Sequence, residues 1–323
     1  MKFAIRPSQG GHDYGAALEQ TKYAEECGLD SVFLGEHHGL PNAWSDPLLA
    51  LGGFATATSS VGLGTAISIL PFENPVKLAG RIGLLDEMSD GRAKFGFGVG
   101  WLDSEFETLG VPKAERGRRM DEYLEIIDRL LEPGPSSYEG EFYEFEDYEA
   151  SPYPDRDSRP EILLGGTSDA SLKRAAVHGD GWVAPGGDLD DIVPLAETYR
   201  EFGGETVLVS NHVTIVRESR AEAIQAAKSF LRNFKHPLVD VEHPHSPDSL
   251  DRLNRQLSDF ESYADPRFIV YGTPDDCIEK IERVYDRVDF DEFLLNVSAW
   301  QWPNDEAKET IRLLGEDVLL SFD

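Results

Sequence analysis

The run Gly35-Glu36-His37-His38 directly follows the apolar stretch Ser31-Val32-Phe33-Leu34. An imidazole moves protons near neutral pH, and a neighbouring carboxylate such as Glu36 can orient it. A lone histidine at a strand end is most often a satisfied surface group, but a Glu-His-His triple is harder to explain that way. A second run, Gly64-Thr65-Ala66-Ile67-Ser68-Ile69-Leu70-Pro71, puts small residues where a flat ring can approach the backbone. Gly-Thr-Ala can equally relieve crowding. A third run, Gly165-Gly166-Thr167-Ser168, stands between an apolar segment and a helical pattern. Its glycines permit unusual dihedrals, and its hydroxyls with the helix N-terminus can hold an anion such as phosphate. An ordinary turn with an N-cap reads equally well. The fourth, Gly96 to Trp101, has the glycine spacing of a dinucleotide fingerprint but lacks the strand–helix unit and the later acid. Trp101 and Trp182 could wall a ring, although large aromatics at strand ends are as often core.

The elements that must position these residues alternate. Short apolar runs at Phe3 to Ile5, Ser31 to Leu34, Val61 to Ile67, Ala93 to Val99, Ile162 to Leu164, Trp182 to Ala184, Val207 to Val216 and Phe293 to Val297 read as strands. Helical patterns separate them, clearest at Arg118 to Leu131, where Met120, Leu124, Ile127 and Leu131 share one face. Eight strand–helix units predict an α/β fold, a closed (β/α)8 barrel of the TIM type, as one domain over residues 1–323. Two excursions, about 133–159 and 232–267, read as loop insertions at the C-terminal rim. In such a barrel Glu36, His37 and His38 fall at the C-terminal mouth, where barrel enzymes keep their chemistry.

Composition bounds the partners. The chain has 323 residues, 40% of them hydrophobic, enough for a large core. It carries 60 Asp and Glu against 30 Lys and Arg, a formal charge of -30. The acids are spread along the chain, which suits a solvated surface working in high salt, where ions screen self-repulsion. This halophilic balance argues against nucleic acid and anionic membranes as partners. Two cysteines, Cys27 and Cys277, are too few for a disulfide framework and leave a reducing, cytoplasmic setting as the default. No apolar run is long enough to span a membrane, and the first residues lack the charged start and long apolar run of a signal peptide. No metal site is expected: His37 and His38 are adjacent, which suits a shared ion poorly, and His243 and His245 sit in a proline-rich stretch without partners.

Taken in order, the runs from Gly28 to His38, Leu63 to Pro71, Asn74 to Val76, Leu85 to Arg92 and Gly98 to Trp101 resemble the luciferase-like monooxygenase family. So do Glu105-Phe106, Glu115 to Arg118, Gly165 to Ser168, Gly179 to Trp182 and Gly272 to Pro274. The likeness is close to about residue 185 and looser beyond. It implies a barrel enzyme that holds FMN or the deazaflavin coenzyme F420 at its mouth and acts on a small molecule as a homodimer. It implies that His37 is the active-site histidine, that Ala66-Ile67 forms a non-proline cis peptide behind the ring, and that Gly165, Gly166, Thr167 and Ser168 form the phosphate turn. FMN-dependent members often carry Arg near the end of the fourth strand, where this chain has Val99. That departure leans toward F420 and hydride transfer, with Glu36 orienting His37. An FMN monooxygenase, using reduced flavin and oxygen on an aldehyde-like substrate, is the alternative, and a non-catalytic flavin-binding protein a second.

Overall fold

The computed structural model describes residues 1–8, 13–40, 43–152, 159–242, 254, 257–299 and 301–322. Eight parallel strands close into a barrel: β1 (Lys2–Arg6), β2 (Ser31–Leu34), β3 (Gly62–Ile69), β4 (Ala93–Gly98), β7 (Glu161–Gly165), β8 (Gly181–Ala184), β9 (Val207–Ser210) and β12 (Glu292–Asn296). β12 pairs with β1 to complete the ring. The intervening β5 (Ser136–Glu139) and β6 (Glu144–Tyr148) form an antiparallel hairpin, and β10 (Val213–Val216) and β11 (Ile269–Gly272) a separate parallel pair. The single run expected from Val207 to Val216 is therefore two strands. Asn211 and His212 break it, and its second half leaves the barrel to pair with β11.

Helices α1 (Tyr14–Glu26), α2 (Pro47–Ala55), α3 (Pro75–Met88), α5 (Arg116–Leu130), α6 (Asp169–His178), α7 (Leu189–Glu201), α10 (Pro274–Val288) and α11 (Asn304–Leu313) follow barrel strands or their extensions. The short α4 (Asp103–Leu109), the long α8 (Arg220–Glu242) and α9 (Phe260–Ala264) complete the described set. The 232–267 stretch is more helical than its sequence suggests, since α8 runs to Glu242; of the helix expected from Leu250 to Tyr263, residues 250–253, 255 and 256 lie outside the described residues. The helix starts obey local chemistry. Asn74 and Asp46 cap α3 and α2, and Thr273 with Asp276 makes a capping box at α10.

Strand side chains alternate between two cores. Outward residues such as Ile5, Val32, Leu34 and Leu295 pack under the helices. Inward residues Ala4, Phe33, Ala66, Leu163, Val183, Leu208 and Leu294 fill the barrel. Below this plug, Lys94 pairs with Glu292 at 2.7 Å, beside Glu161. Above it, at the strands' C-terminal ends, the inward layer turns polar, with Arg6 beside Asn296 in the β1–β12 register. The excursion between β9 and α10 leaves from this upper rim. The β5–β6 hairpin instead joins the end of α5 to the start of β7 and is held to mid-α5 by Glu122, whose carboxylate accepts from the amides of residues 141–143.

Candidate active site

The upper rim is organised around a break in β3. The Ala66–Ile67 peptide is cis, and the β3–β4 register shifts between Thr65 and Ser68. Neighbouring strands make room for this bulge by being bare. A Cβ on Gly96 would lie 2.1 Å from the Thr65 carbonyl, and one on Gly98 would lie 2.1 Å from Ile67 Cδ1. Gly165, at the end of β7, faces Ile67 from the other side. The glycines of Lys94-Phe95-Gly96-Phe97-Gly98 thus serve the bulge. Both carbonyls of the bulge are engaged: Arg6 donates to Ala66 O at 2.7 Å, and the Glu36 amide to Ile67 O at 3.0 Å.

His37 and His38 leave β2 beside this bulge, but the carboxylates divide differently from the sequence expectation. Glu36 does not orient His37. Its Oε1 bonds His38 Nε2 at 2.8 Å and its Oε2 accepts from the Ile69 amide at 3.1 Å, tying β2 to β3. The partner of His37 is Glu105, on α4: Oε1 lies 3.0 Å from His37 Nδ1 and also accepts from the His38 amide at 2.7 Å. The physical reason is reach. Glu36 is anchored by its own backbone amide in the β2–β3 seam, whereas α4 brings Glu105 over the mouth from β4.

Glu105 is fully buried at its side chain, while His37 keeps 28% of its side chain exposed. A carboxylate on Nδ1 makes that nitrogen the donor and leaves Nε2 to face a ligand. The Glu36 bond, with burial opposing it, raises the His38 pKa above the usual histidine range. Trp101 stands edge-on to His37, ring centroids 6.2 Å apart, and is half exposed. His38 packs edge-on against Phe72. The sequence offers Glu105 only within the family-like run Glu105-Phe106, with no role attached, and does not single out Phe72. The available signal was a short polar helix between Leu102 and the left-handed Gly110.

At the end of β7 the chain turns through Gly166, whose φ of 146° places it where side chains are strained. Ser168 caps α6, accepting from the Ser171 amide at 3.3 Å. Trp182 is core: it is fully buried and its Nε1 donates to Gly166 O at 2.9 Å, stiffening this turn. Thr167 is exposed, and Asp169 adds a negative charge to the helix's first turn. His37, Glu36, Ala66, Ile67 and Gly165 therefore converge on one mouth, Gly166, Thr167 and Ser168 continue from its edge, and Trp101 stands over it.

Several buried polar atoms near the mouth have no protein partner among the described residues: Arg6 Nε, Ser68 Oγ, Glu105 Oε2, Asn296 Oδ1 and Ser298 Oγ. Buried polar atoms are nearly always satisfied, so these are the atoms that a bound water or a polar ligand would complete. No group of metal-ligating side chains gathers among the described residues, and no described helix is long and apolar enough to cross a membrane. His243 and His245 lie outside the described residues. Cavities of about 440 and 420 Å³ open instead at the opposite rim, around Lys94 and Glu161. There the charged groups are paired, as in a stabilising floor.

A family profile described as luciferase-like monooxygenase matches residues 1–291. The 4-hydroxyprotoasukamycin monooxygenase of Streptomyces nodosus subsp. asukaensis is 26% identical over 316 residues, covering 90% of this chain and 83% of that protein. A monooxygenase from Streptomyces bottropensis superposes with a TM-score of 0.85 at 26% identity, covering 100% of both chains. The coenzyme F420-dependent tetrahydromethanopterin reductase of Methanopyrus kandleri superposes with a TM-score of 0.76 over 100% of this chain and 99% of its own, at 22% identity, a likeness of fold.

Proposed function

This chain belongs to the luciferase-like monooxygenase family, and on that premise we propose that it is a two-electron oxidoreductase using coenzyme F420 to move hydride to or from a small organic substrate. The observation that carries the reading is the His37–Glu105 pair, a partly exposed imidazole held by a buried carboxylate at the barrel mouth. The residues present fit a flat cofactor. Gly98 and Gly165 make room for Ile67 of the bulge, and Ser68 Oγ and Asn296 Oδ1 are buried beside it without a protein partner. Val99 packs against the apolar core and offers no charge to an FMN phosphate.

When bound, the deazaflavin supplies the hydride chemistry. The chain supplies the rest. Glu105 fixes the His37 ring so that Nε2 gives or takes the proton that accompanies hydride movement. Glu36 holds β2 against the bulge, so the two histidines keep their places. Trp101 covers the mouth edge beside His37 and limits water there. Gly166, Thr167 and Ser168 would hold the cofactor's phosphate at the start of α6.

An FMN monooxygenase is the second reading, favoured by the two relatives that are 26% identical over nearly the whole chain and are both named monooxygenases. A fluorescence titration in molar salt, with FMN and F420 side by side, separates the two. The expected result is tight F420 and weak FMN binding, with turnover cut in His37→Ala while coenzyme affinity stays nearly intact. Tight FMN binding with oxygen uptake tied to product would install the monooxygenase. Binding without turnover on a broad substrate panel would leave a carrier.

A further inference from the structure

Arg6 closes β1 facing into the barrel, two residues above Ala4 on the same strand face. Parallel register sets it beside Asn296. One Nη donates to Ala66 O at 2.7 Å, while its Nε is shielded from solvent and has no partner. Burial alone shifts it, drawing its pKa down to about 10, so it remains cationic at neutral pH. Arg81, Arg174, Arg217 and Arg312 each hold a carboxylate, whereas Arg92 and Arg200 spend their donors chiefly on backbone carbonyls. Arg6, among the described residues, holds none, in a protein whose acids outnumber its bases two to one. Arg6 is partly exposed while its Nε is buried and unmet, so a ligand at the mouth could supply the counter-charge it lacks. The neighbours that could share that ligand, Ser68 Oγ and Asn296 Oδ1, are neutral. The Ala66 carbonyl ties the guanidinium to the bulge, the surface against which the ring-binding reading places a flat cofactor.

We propose that Arg6 is the counter-charge for the anionic reduced state of the bound ring, its free guanidinium edge meeting the N1–C2 oxygen edge that flavins and deazaflavins share. A ring that gains two electrons and one proton, delivered together as hydride from a substrate C–H, carries one negative charge spread over that edge. A planar guanidinium suits such a delocalised anion better than an ammonium does. The consequence is a preference for the reduced over the oxidised cofactor, set by a residue remote in sequence from the histidines. This inference rests on the ring-binding reading.

The test measures dissociation constants for oxidised and chemically reduced F420 and FMN, under nitrogen, for the wild type, Arg6→Gln and Arg6→Lys. The wild type should bind the reduced form of its cofactor at least about tenfold tighter. Arg6→Gln, which keeps a donor for Ala66 O, should lose most of that preference while oxidised-ring affinity stays within about twofold. A tenfold loss corresponds to about 30 mV in the midpoint potential of the bound two-electron couple. Arg6→Lys should retain part of the preference. Equal wild-type affinity for the two redox forms overturns the inference without any variant having to fold. An unchanged preference in Arg6→Gln, or an equal loss for both forms, overturns it too, the latter by assigning Arg6 to scaffolding. Failure of the wild type to bind either ring would instead sink the cofactor reading itself.

Discussion

One oxygen, Glu105 Oε1, accepts from both the His37 ring and the His38 amide, while Oε2 is buried without a partner. Removing its charge but not its shape should therefore disturb His37 more than the fold. Glu105→Gln is expected to lower turnover at least about tenfold with cofactor affinity nearly unchanged, and Glu105→Asp to recover part of the loss. Steady-state kinetics beside a binding titration checks this; an equal fall in affinity would make Glu105 merely structural. His38 makes a separate, pH-dependent statement. Glu36 raises its pKa in the folded state, so the pair's stabilisation is complete below the ordinary histidine value near 6.5 and fades as pH rises through the folded value. The stability gap between wild type and His38→Gln, from denaturant melts, should narrow from about pH 6 to about pH 9. A gap constant across that range would refute the assignment.

At the level of elements, β4 is shaped by β3. The Gly96 Cβ would meet a backbone carbonyl, which has nowhere to go, and the Gly98 Cβ would meet the tip of a flexible isoleucine. Both Ala substitutions are expected to destabilise by about 1–3 kcal/mol, Gly96→Ala at the upper end. Gly98→Ala should also weaken cofactor binding, because Ile67 must turn toward the mouth. Urea melts and the cofactor titration read the two effects, and a neutral Gly96→Ala would contradict the packing described. The same comparison explains why the glycine run was legible as a feature but not as a cause. Spacing shows that side chains are missing, while only the β3–β4 register shows what occupies their place.

For the whole molecule the dominant fact is a charge of -30. Self-repulsion of that size falls as the Debye length shrinks from about 10 Å at 0.1 M salt to about 3 Å at 1 M. We propose a halophilic protein whose melting temperature rises steadily with KCl over that range; a flat or falling curve would remove the proposal. We also propose a homodimer. Leu49 and Leu84 are exposed on the adjoining helices α2 and α3, with Met88 partly so. Light scattering in molar salt should find two copies for the wild type and a monomer for Leu49→Glu/Leu84→Glu, and an unchanged mass would place the interface elsewhere.

The amino-acid pattern by itself determined the eight barrel strands, the mouth position of His37 and the turn at Gly165 to Ser168. These follow from short-range rules: apolar period, glycine stops and capping residues act within one element. The ordered runs also determined the family. Pairing across the mouth was decided only in three dimensions. Glu36 is adjacent to His37 in the chain yet bonds His38 and β3, and Glu105, 68 residues away, takes its place. Arg6 merely follows the apolar run Phe3 to Ile5 in the sequence, and closure of the barrel sets it beside Asn296 and the bulge. The reason is common to both. Which polar groups share a ligand depends on strand register and barrel closure, and those are set by packing between elements distant in sequence.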